Sequence, residues 1–331
     1  MNLLILGGTR FLGRAIAEAA LSRGHQLTLF HRGQTNPALF DDAEHVTGDR
    51  DGALESLAGQ TWDACIDTCG YVPRIVRQSA DLLSGAVHRY AFVSTLSVYA
   101  NPTPQGTDES GELGSMDDPT MEEITGETYG PLKALCEAEV QREFGDRALI
   151  VRPGLIVGRH DASDRFTYWP WRIAQGGDVL APGRPDRTIQ LIDVRDLAEW
   201  IVAMIEDGTT GVFNAVSPPD RLTMGQMLDT CISVSGSDAK LHWADDEWLT
   251  AREVGPWMEM PLWIPEGDPL AEGFFSFRSD RAMDAGLRFR SLEDTVSDTL
   301  AWLNTEPKDR PWRAGMDRDR EATLLRELTE I

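Results

Sequence analysis

The chain has 331 residues, 54 of them acidic and 31 basic, for a formal charge of −23. A field of that sign opposes non-specific attachment to nucleic acid or to an anionic membrane, since both need a positive surface. No apolar run is long enough to cross a bilayer,, and the length suits one large α/β domain with a smaller lobe.

Met1 leads straight into an apolar run without a basic segment and cleavage site, so a cytoplasmic enzyme is the expectation,. Cys65, Cys69, Cys136 and Cys231 form no C-x-x-C pair and read as reduced, mostly buried thiols,. The six histidines show no ligand spacing, and no metal site is expected.

Residues 3–6 predict a first strand, and Gly7-Gly8-Thr9-Arg10-Phe11-Leu12-Gly13 follows directly. Residues 14–23 read as a helix stopped by Gly24, and 27–30 as a second strand. Strand, glycine turn, helix and strand open a dinucleotide-binding unit, because a pyrophosphate can approach free N–H groups at a helix start where no side chain blocks it. Gly7, Thr9, Arg10, Phe11, Leu12 and Gly13 are the candidates, with Arg10 where the G-x-x-G-x-x-G form has its middle glycine. The plainer alternative is an ordinary tight turn.

The second strand ends at His31 and Arg32, where an NAD-preferring unit carries an acid for the ribose 2′-hydroxyl,. An arginine there suits a 2′-phosphate, and Arg10 can approach the same group. The expectation is NADP(H) over NAD(H), against the alternative that Arg32 is a solvated turn residue. A third strand at 45–47 ends in Gly48-Asp49-Arg50-Asp51; Asp49, placed for the adenine amino group, and Arg50 join the cofactor candidates. A fourth strand at 62–68 ends in Thr68, Cys69 and Gly70, small enough for a ribose to lie close. A helix at 73–83 and a fifth strand at 90–95 follow. A polar loop at 100–128 reads as a lid or as a merely solvated segment,. With a helix at 131–144 and a sixth strand at 148–151, the alternation predicts a Rossmann-type, doubly wound parallel α/β sheet,.

From residue 159 the texture changes. Phe166, Tyr168, Trp169 and Trp171 cluster beside Pro170, and residues 179–183 precede Arg184-Pro185-Asp186-Arg187. Residues 189–194, with a helix at 196–205, are expected to return to the sheet, 211–215 to add a strand, and 222–234 to contain a helix. The expected organisation is a nucleotide-binding domain (1–158 with 188–215), a discontinuous substrate lobe (159–187 with 216–290) and a helical tail (291–331). No internal repeat is present.

Tyr129 and Lys133 stand four apart at a helix start and so share one face,. A phenol titrates near ~10, too high for proton transfer at neutral pH. A neighbouring ammonium lowers that value and makes Tyr129 a usable general acid/base. Lys133 can also bond a nicotinamide ribose. Lysine occurs only at 133, 240 and 308, which makes a chance match less plausible.

Here the chain resembles the extended short-chain dehydrogenase/reductases, the NAD(P)-dependent epimerase/dehydratase group. The resemblance rests on Gly7 to Gly13, Gly48-Asp49, Ser94-Thr95-Leu96-Ser97-Val98-Tyr99, Tyr129 with Lys133, Arg152-Pro153 to Gly158, and Ile192-Asp193-Val194-Arg195-Asp196. It implies that Thr95 polarises the substrate oxygen, with Ser97 the lesser candidate, and that Pro153, Leu155 and Ile156 help hold the cofactor. It also implies a homodimer. The acidic pair of the family's 4,6-dehydratases is Leu96-Ser97 here, which disfavours that route. The place of the arginine common in nucleotide-sugar enzymes holds Ile189, with Arg187 and Gln190 nearby. Substrate-binding candidates are Ser97, Phe166, Trp169, Arg187 and Gln190, with Trp171, Trp257 and Trp263 as further pocket aromatics. The reading is hydride transfer at a secondary alcohol or ketone of a small-molecule substrate. The rivals are an epimerase that retains its cofactor, and a cofactor-sensing or RNA-binding role suggested by a likeness of the opening turn to plant chloroplast stem-loop RNA-binding proteins.

Overall fold

A computed structural model describes residues 1–269 and 271–330. In chain order it forms β1 (Asn2–Leu6), α1 (Phe11–Ser22), β2 (Gln26–His31), β3 (Glu44–Thr47), β4 (Trp62–Asp67), α2 (Pro73–Leu83), β5 (Val87–Val93), α3 (Tyr129–Phe144), β6 (Ala148–Pro153) and β7 (Ile156–Val157). There follow α4 (Tyr168–Ala174), β8 (Asp178–Pro182), β9 (Ile192–Asp193), α5 (Val194–Glu206), β10 (Gly211–Ala215), α6 (Met224–Ser235), β11 (Lys240–Ala244), α7 (Asp246–Ala251), α8 (Asp280–Asp284), α9 (Leu292–Leu303) and α10 (Arg318–Thr329).

Seven strands make one parallel sheet in the order β10-β6-β5-β4-β1-β2-β3. The apolar run of β1 is continuous because both faces are covered: Leu3 and Ile5 enter the core that includes α1 and α5, Leu4 and Leu6 the core that includes α2 and α3,. Strand order reverses between β1 and β4. The crevice beyond their C-terminal ends is where an open α/β sheet takes its ligand.

A third core lies outside the sheet. It gathers Trp169, Val179, Leu180, Met227, Leu228 and Leu249 with Val296 and Leu324 of the two C-terminal helices. Parallel β8 and β11 cross it. Residues 189–194 depart from the sequence expectation. Only Ile192–Asp193 is a strand, and it pairs with β7 in a separate ribbon, because β10 occupies the edge of β6.

Arg50 is also corrected. It is buried, and its guanidinium pairs bidentately with Asp67, at 2.6 and 2.5 Å. Ser79 Oγ accepts from it as well, while the Tyr90 hydroxyl donates to Asp67 at 2.8 Å. Its donors face the interior, where a charge without a partner is costly, so the side chain joins the turn after β3 to the end of β4 instead of facing a nucleotide. Asp67→Asn should cost about 3–5 kcal/mol in urea denaturation by leaving a buried cation unpaired, whereas the double change Asp67→Leu with Arg50→Met should cost less.

Candidate functional site

The glycine turn is shaped by close approach. Gly7 has φ of +107°, and a Cβ on it would lie 2.4 Å from Thr68 Oγ1; one on Gly13 would lie 2.7 Å from the Gly8 nitrogen. Arg10 is extended at φ −141°, so the middle position needs no glycine. No side chain caps α1 and its first turn holds no acid, which leaves its N–H groups for an anion,. Thr9 is buried at the turn, and Phe11 and Leu12 begin the helix. The residues present therefore suit a nucleotide pyrophosphate.

Arg10 and Arg32 are exposed at the neighbouring loop tips; neither has an ion-pair partner among the described residues. His31 lies apart from them in role. Its Nδ1 accepts from the Gly33 N–H at 3.0 Å, so its Nε2 donates to His45 Nδ1 at 2.8 Å. Burial and His45 hold its pKa below the usual value. Both ring nitrogens are taken, and His31 fixes the turn that presents Arg32. Asp49 is exposed, with one oxygen accepting from the Asp51 N–H at 2.9 Å. Thr68 donates to the Leu6 carbonyl at 2.9 Å and Cys69 contacts Arg50, both at the sheet's C-terminal edge. Pro153 ends β6; Leu155, whose carbonyl accepts from Ile192, and Ile156 lie just beyond, partly exposed.

Tyr129 begins α3, two residues earlier than the spacing predicts. The helix lies hard against the turn at Leu96–Val98: a Cβ on Gly130 would sit 2.0 Å from the Ser97 carbonyl oxygen. That contact brings the Tyr129 phenol to Thr95, whose hydroxyl caps the same turn by accepting from the Ser97 N–H at 3.1 Å. Ser97 Oγ is 3.3 Å from Thr95 Oγ1. Burial raises the Tyr129 pKa, opposed by Thr95 and by the charge of Arg165.

One turn on, Lys133 is 2% exposed, and its ammonium donates to the carbonyls of Gly70 at 2.6 Å and Val93 at 2.7 Å. It lies 4.2 Å from the centre of the Phe92 ring. Burial lowers its pKa to about 8. Two carbonyls hold its charge, and Arg165 contributes a charge that lowers the phenol's pKa. A further turn on, buried Glu137 pairs with Arg152 at 2.6 Å, and Arg152 also donates to the Tyr99 hydroxyl at 3.0 Å. Residues 129, 133 and 137 thus form one face of α3 that locks onto the ends of β4, β5 and β6.

Four of the expected substrate residues are redirected. Phe166 and Trp169 are fully buried in the lobe core, where Trp169 Nε1 donates to the Pro261 carbonyl at 3.0 Å. Arg187 is spent on Asp246 at 2.6 Å and the Ile264 carbonyl. The Gln190 amide bridges the Ser217 and Phe277 backbones and is buried. Trp263 is buried too, donating to Asp246, and Trp171 packs against Trp312. Trp257 is partly exposed, edge-on to Phe274 with ring centres 4.9 Å apart. The sequence reading missed Arg165, Tyr71 and Phe92. Tyr71 and Phe92 stack over Lys133, and only the turn after Gly70 hinted at the former.

Comparisons with known proteins agree with this architecture. Residues 72–215 match the family described as NAD dependent epimerase/dehydratase. Among relatives, the epimerase family protein SDR39U1 of Bos taurus is 25% identical over 67% of this chain and 76% of its own length. The chloroplast stem-loop binding protein of 41 kDa b of Arabidopsis thaliana is 25% identical over 71% of this chain and 63% of its own. Human SDR39U1, solved with NADPH, superposes with a TM-score of 0.62 at 20% identity, over 91% of this chain and 99% of that one. The Bordetella bronchiseptica enzyme WbmG, solved with NAD and UDP, gives 0.68 at 16% identity, over 91% and 94%. Residues 72–215 thus match the NAD dependent epimerase/dehydratase family, and the chain as a whole shares the fold of solved epimerases and of SDR39U1.

Proposed function

We propose that the protein is an NADP(H)-dependent oxidoreductase acting at a secondary alcohol or ketone carbon of a small molecule. The observation that carries the reading is the meeting of Tyr129 with Thr95 at the crevice, one helical turn above buried Lys133. The bound dinucleotide supplies or accepts the hydride. Thr95 orients the substrate oxygen, and Tyr129 delivers the proton to that oxygen or takes it. Lys133, held by two carbonyls, has its third N–H free for a ribose hydroxyl,. Gly7, Gly13 and the start of α1 receive the pyrophosphate, Asp49 the adenine amino group, and Arg10 with Arg32 a 2′-phosphate. Leu155 and Ile156 lie where a carboxamide would meet their backbone.

An epimerase is the second reading, favoured by the family description and by the NAD and UDP complex of WbmG. The engagement of Arg187 by Asp246 weighs against a diphosphate at that point. The two differ in bookkeeping: the oxidoreductase consumes NADPH stoichiometrically with product, while an epimerase does not.

Tyr129→Phe should lower turnover by about 10²–10⁴, the usual contribution of a positioned acid/base, with NADPH binding unchanged by fluorescence titration. Undiminished turnover would refute the assignment. Arg10→Ala with Arg32→Ala should weaken NADPH by roughly 10–100-fold, at about 1.5–3 kcal/mol for a charged hydrogen bond, and leave NADH affinity unchanged. An equal effect on both would remove the 2′-phosphate from the argument.

Lys133 makes a pH prediction. Folding lowers its pKa from 10.5 to about 8, so between those values the unfolded chain binds the proton that the folded chain has released. Stability measured against Lys133→Met should therefore be flat below pH 8 and rise by about 3 kcal/mol towards pH 10.5. Paired urea titrations at several pH values read this difference.

A further inference from the structure

The loop between β7 and α4 carries the feature that the family resemblance did not supply. Arg165 sits there with its guanidinium near the Tyr129 phenol, and its Nε is buried without a hydrogen-bond partner. No carboxylate lies within ion-pair range of it among the described residues, although most other buried or half-buried arginines here are paired, including Arg50, Arg152, Arg172 and Arg310. Its face rests on the Trp257 ring, 5.3 Å from the centre.

Its neighbours are already committed. Asp161, two per cent exposed, accepts the Ser163 N–H at 2.7 Å and the Ser163 hydroxyl at 3.0 Å. Burial raises its pKa to about 6, which weakens it further as a counter-ion. Asp164, one per cent exposed, is bound by Arg310 at 2.7 Å and by the Arg313 N–H at 2.9 Å. These two anchors lie just before residue 165 and fix that side of the loop, with His160 and Asp164 at φ of +66° and +63°. A cation held in place, stacked and lacking a partner is prepared for an anion that comes from outside, because a planar fork loses little freedom when it closes on a carboxylate or phosphate.

We propose that Arg165 binds an oxyanion of the substrate, a carboxylate or a phosphate placed close to the reacting alcohol or ketone carbon, with Trp257 as its aromatic backing. This names the substrate class of the site and rests on the oxidoreductase reading for the reaction, though not for the binding. In the free chain the same charge stabilises the phenolate of Tyr129; with substrate bound, the anion takes that charge over.

Two measurements separate the binding from the chemistry. First, the protein is titrated with malonate, with inorganic phosphate, and with dimethyl malonate as the neutral control, following tryptophan emission. A saturable response to malonate or phosphate is expected, absent for the ester, lost in Trp257→Phe, and weakened roughly tenfold or more in Arg165→Met with partial recovery in Arg165→Lys. The stronger of the two anions tells carboxylate from phosphate. No saturable response, or one unchanged in Arg165→Met, overturns the proposal. Second, NADPH oxidation is followed with oxo acids against their methyl esters, and with dihydroxyacetone phosphate against dihydroxyacetone. The charged member should be preferred by raised kcat/KM, with the preference collapsing through KM in Arg165→Met while NADPH affinity stays the same. Equal rates for charged and neutral members would also overturn it. Anion binding without turnover of any compound would count against the oxidoreductase reading and leave the oxyanion site standing.

Discussion

The arrangement depends on one buried ammonium. Lys133 donates to the carbonyls of Gly70, in the turn that follows β4, and Val93, the last residue of β5. These carbonyls lie where strands stop and ladder partners run out, so their satisfaction by a charged donor stitches two adjacent strand ends to α3. The cost is desolvation, visible in the lowered pKa, and it is offset in part by the faces of Phe92 and Tyr71,. Because the helix repeats near four residues, fixing Lys133 also fixes Tyr129 above it and Glu137 below. Glu137 and Arg152 then tie the lower end to β6 and, through Tyr99, to Asn214 of β10. Tyr129 is thus placed by bonds that the phenol itself does not make.

Electrostatics pose a second constraint. A chain with a net charge of −23 repels anions at long range,. A dinucleotide, and the anionic substrate proposed above, would then be attracted by local charge, and screening makes that feasible, since a Debye length is about 8 Å at physiological salt. Among the described residues Arg10, Arg32 and Arg165 have no carboxylate within ion-pair range, while elsewhere arginines are consumed in pairs such as Arg172 with Glu321 or Arg187 with Asp246. The distribution of unpaired cations, more than the net charge, marks where anions belong.

Much of the sheet was legible because its strands are buried on both faces and read as uninterrupted apolar runs. The helix at 73–83 was legible to the residue. Tyr129 and Lys133 were legible from their spacing. The lobe was not, and the reasons are particular. Phe166 and Trp169 look like pocket aromatics in sequence, yet both are turned into the core, where Trp169 bonds the Pro261 carbonyl 92 positions away. Arg187 and Gln190 are spoken for by Asp246 and by the backbones of Ser217 and Phe277, partners no local pattern announces. Arg165 has no motif at all; its lack of a partner is a property of three dimensions.

The C-terminal helices bear on the site through this same loop. α10 supplies Glu321, buried against Arg172 of α4 at 2.6 Å, and the segment before α10 supplies Arg310 and the Arg313 N–H to Asp164. The tail therefore holds the loop that carries Arg165 at Asp164, and holds α4 beyond it at Arg172. On the proposed reading, the sheet would set the proton chemistry, through Lys133 and α3, and the lobe would read the substrate's charge, through Arg165. Each region has its own buried ion pairs, Arg50 with Asp67 and Arg152 with Glu137 in the sheet, Arg172 with Glu321 and Arg310 with Asp164 in the lobe. Such a division lets the lobe alter which anion it accepts without disturbing the groups that move the proton.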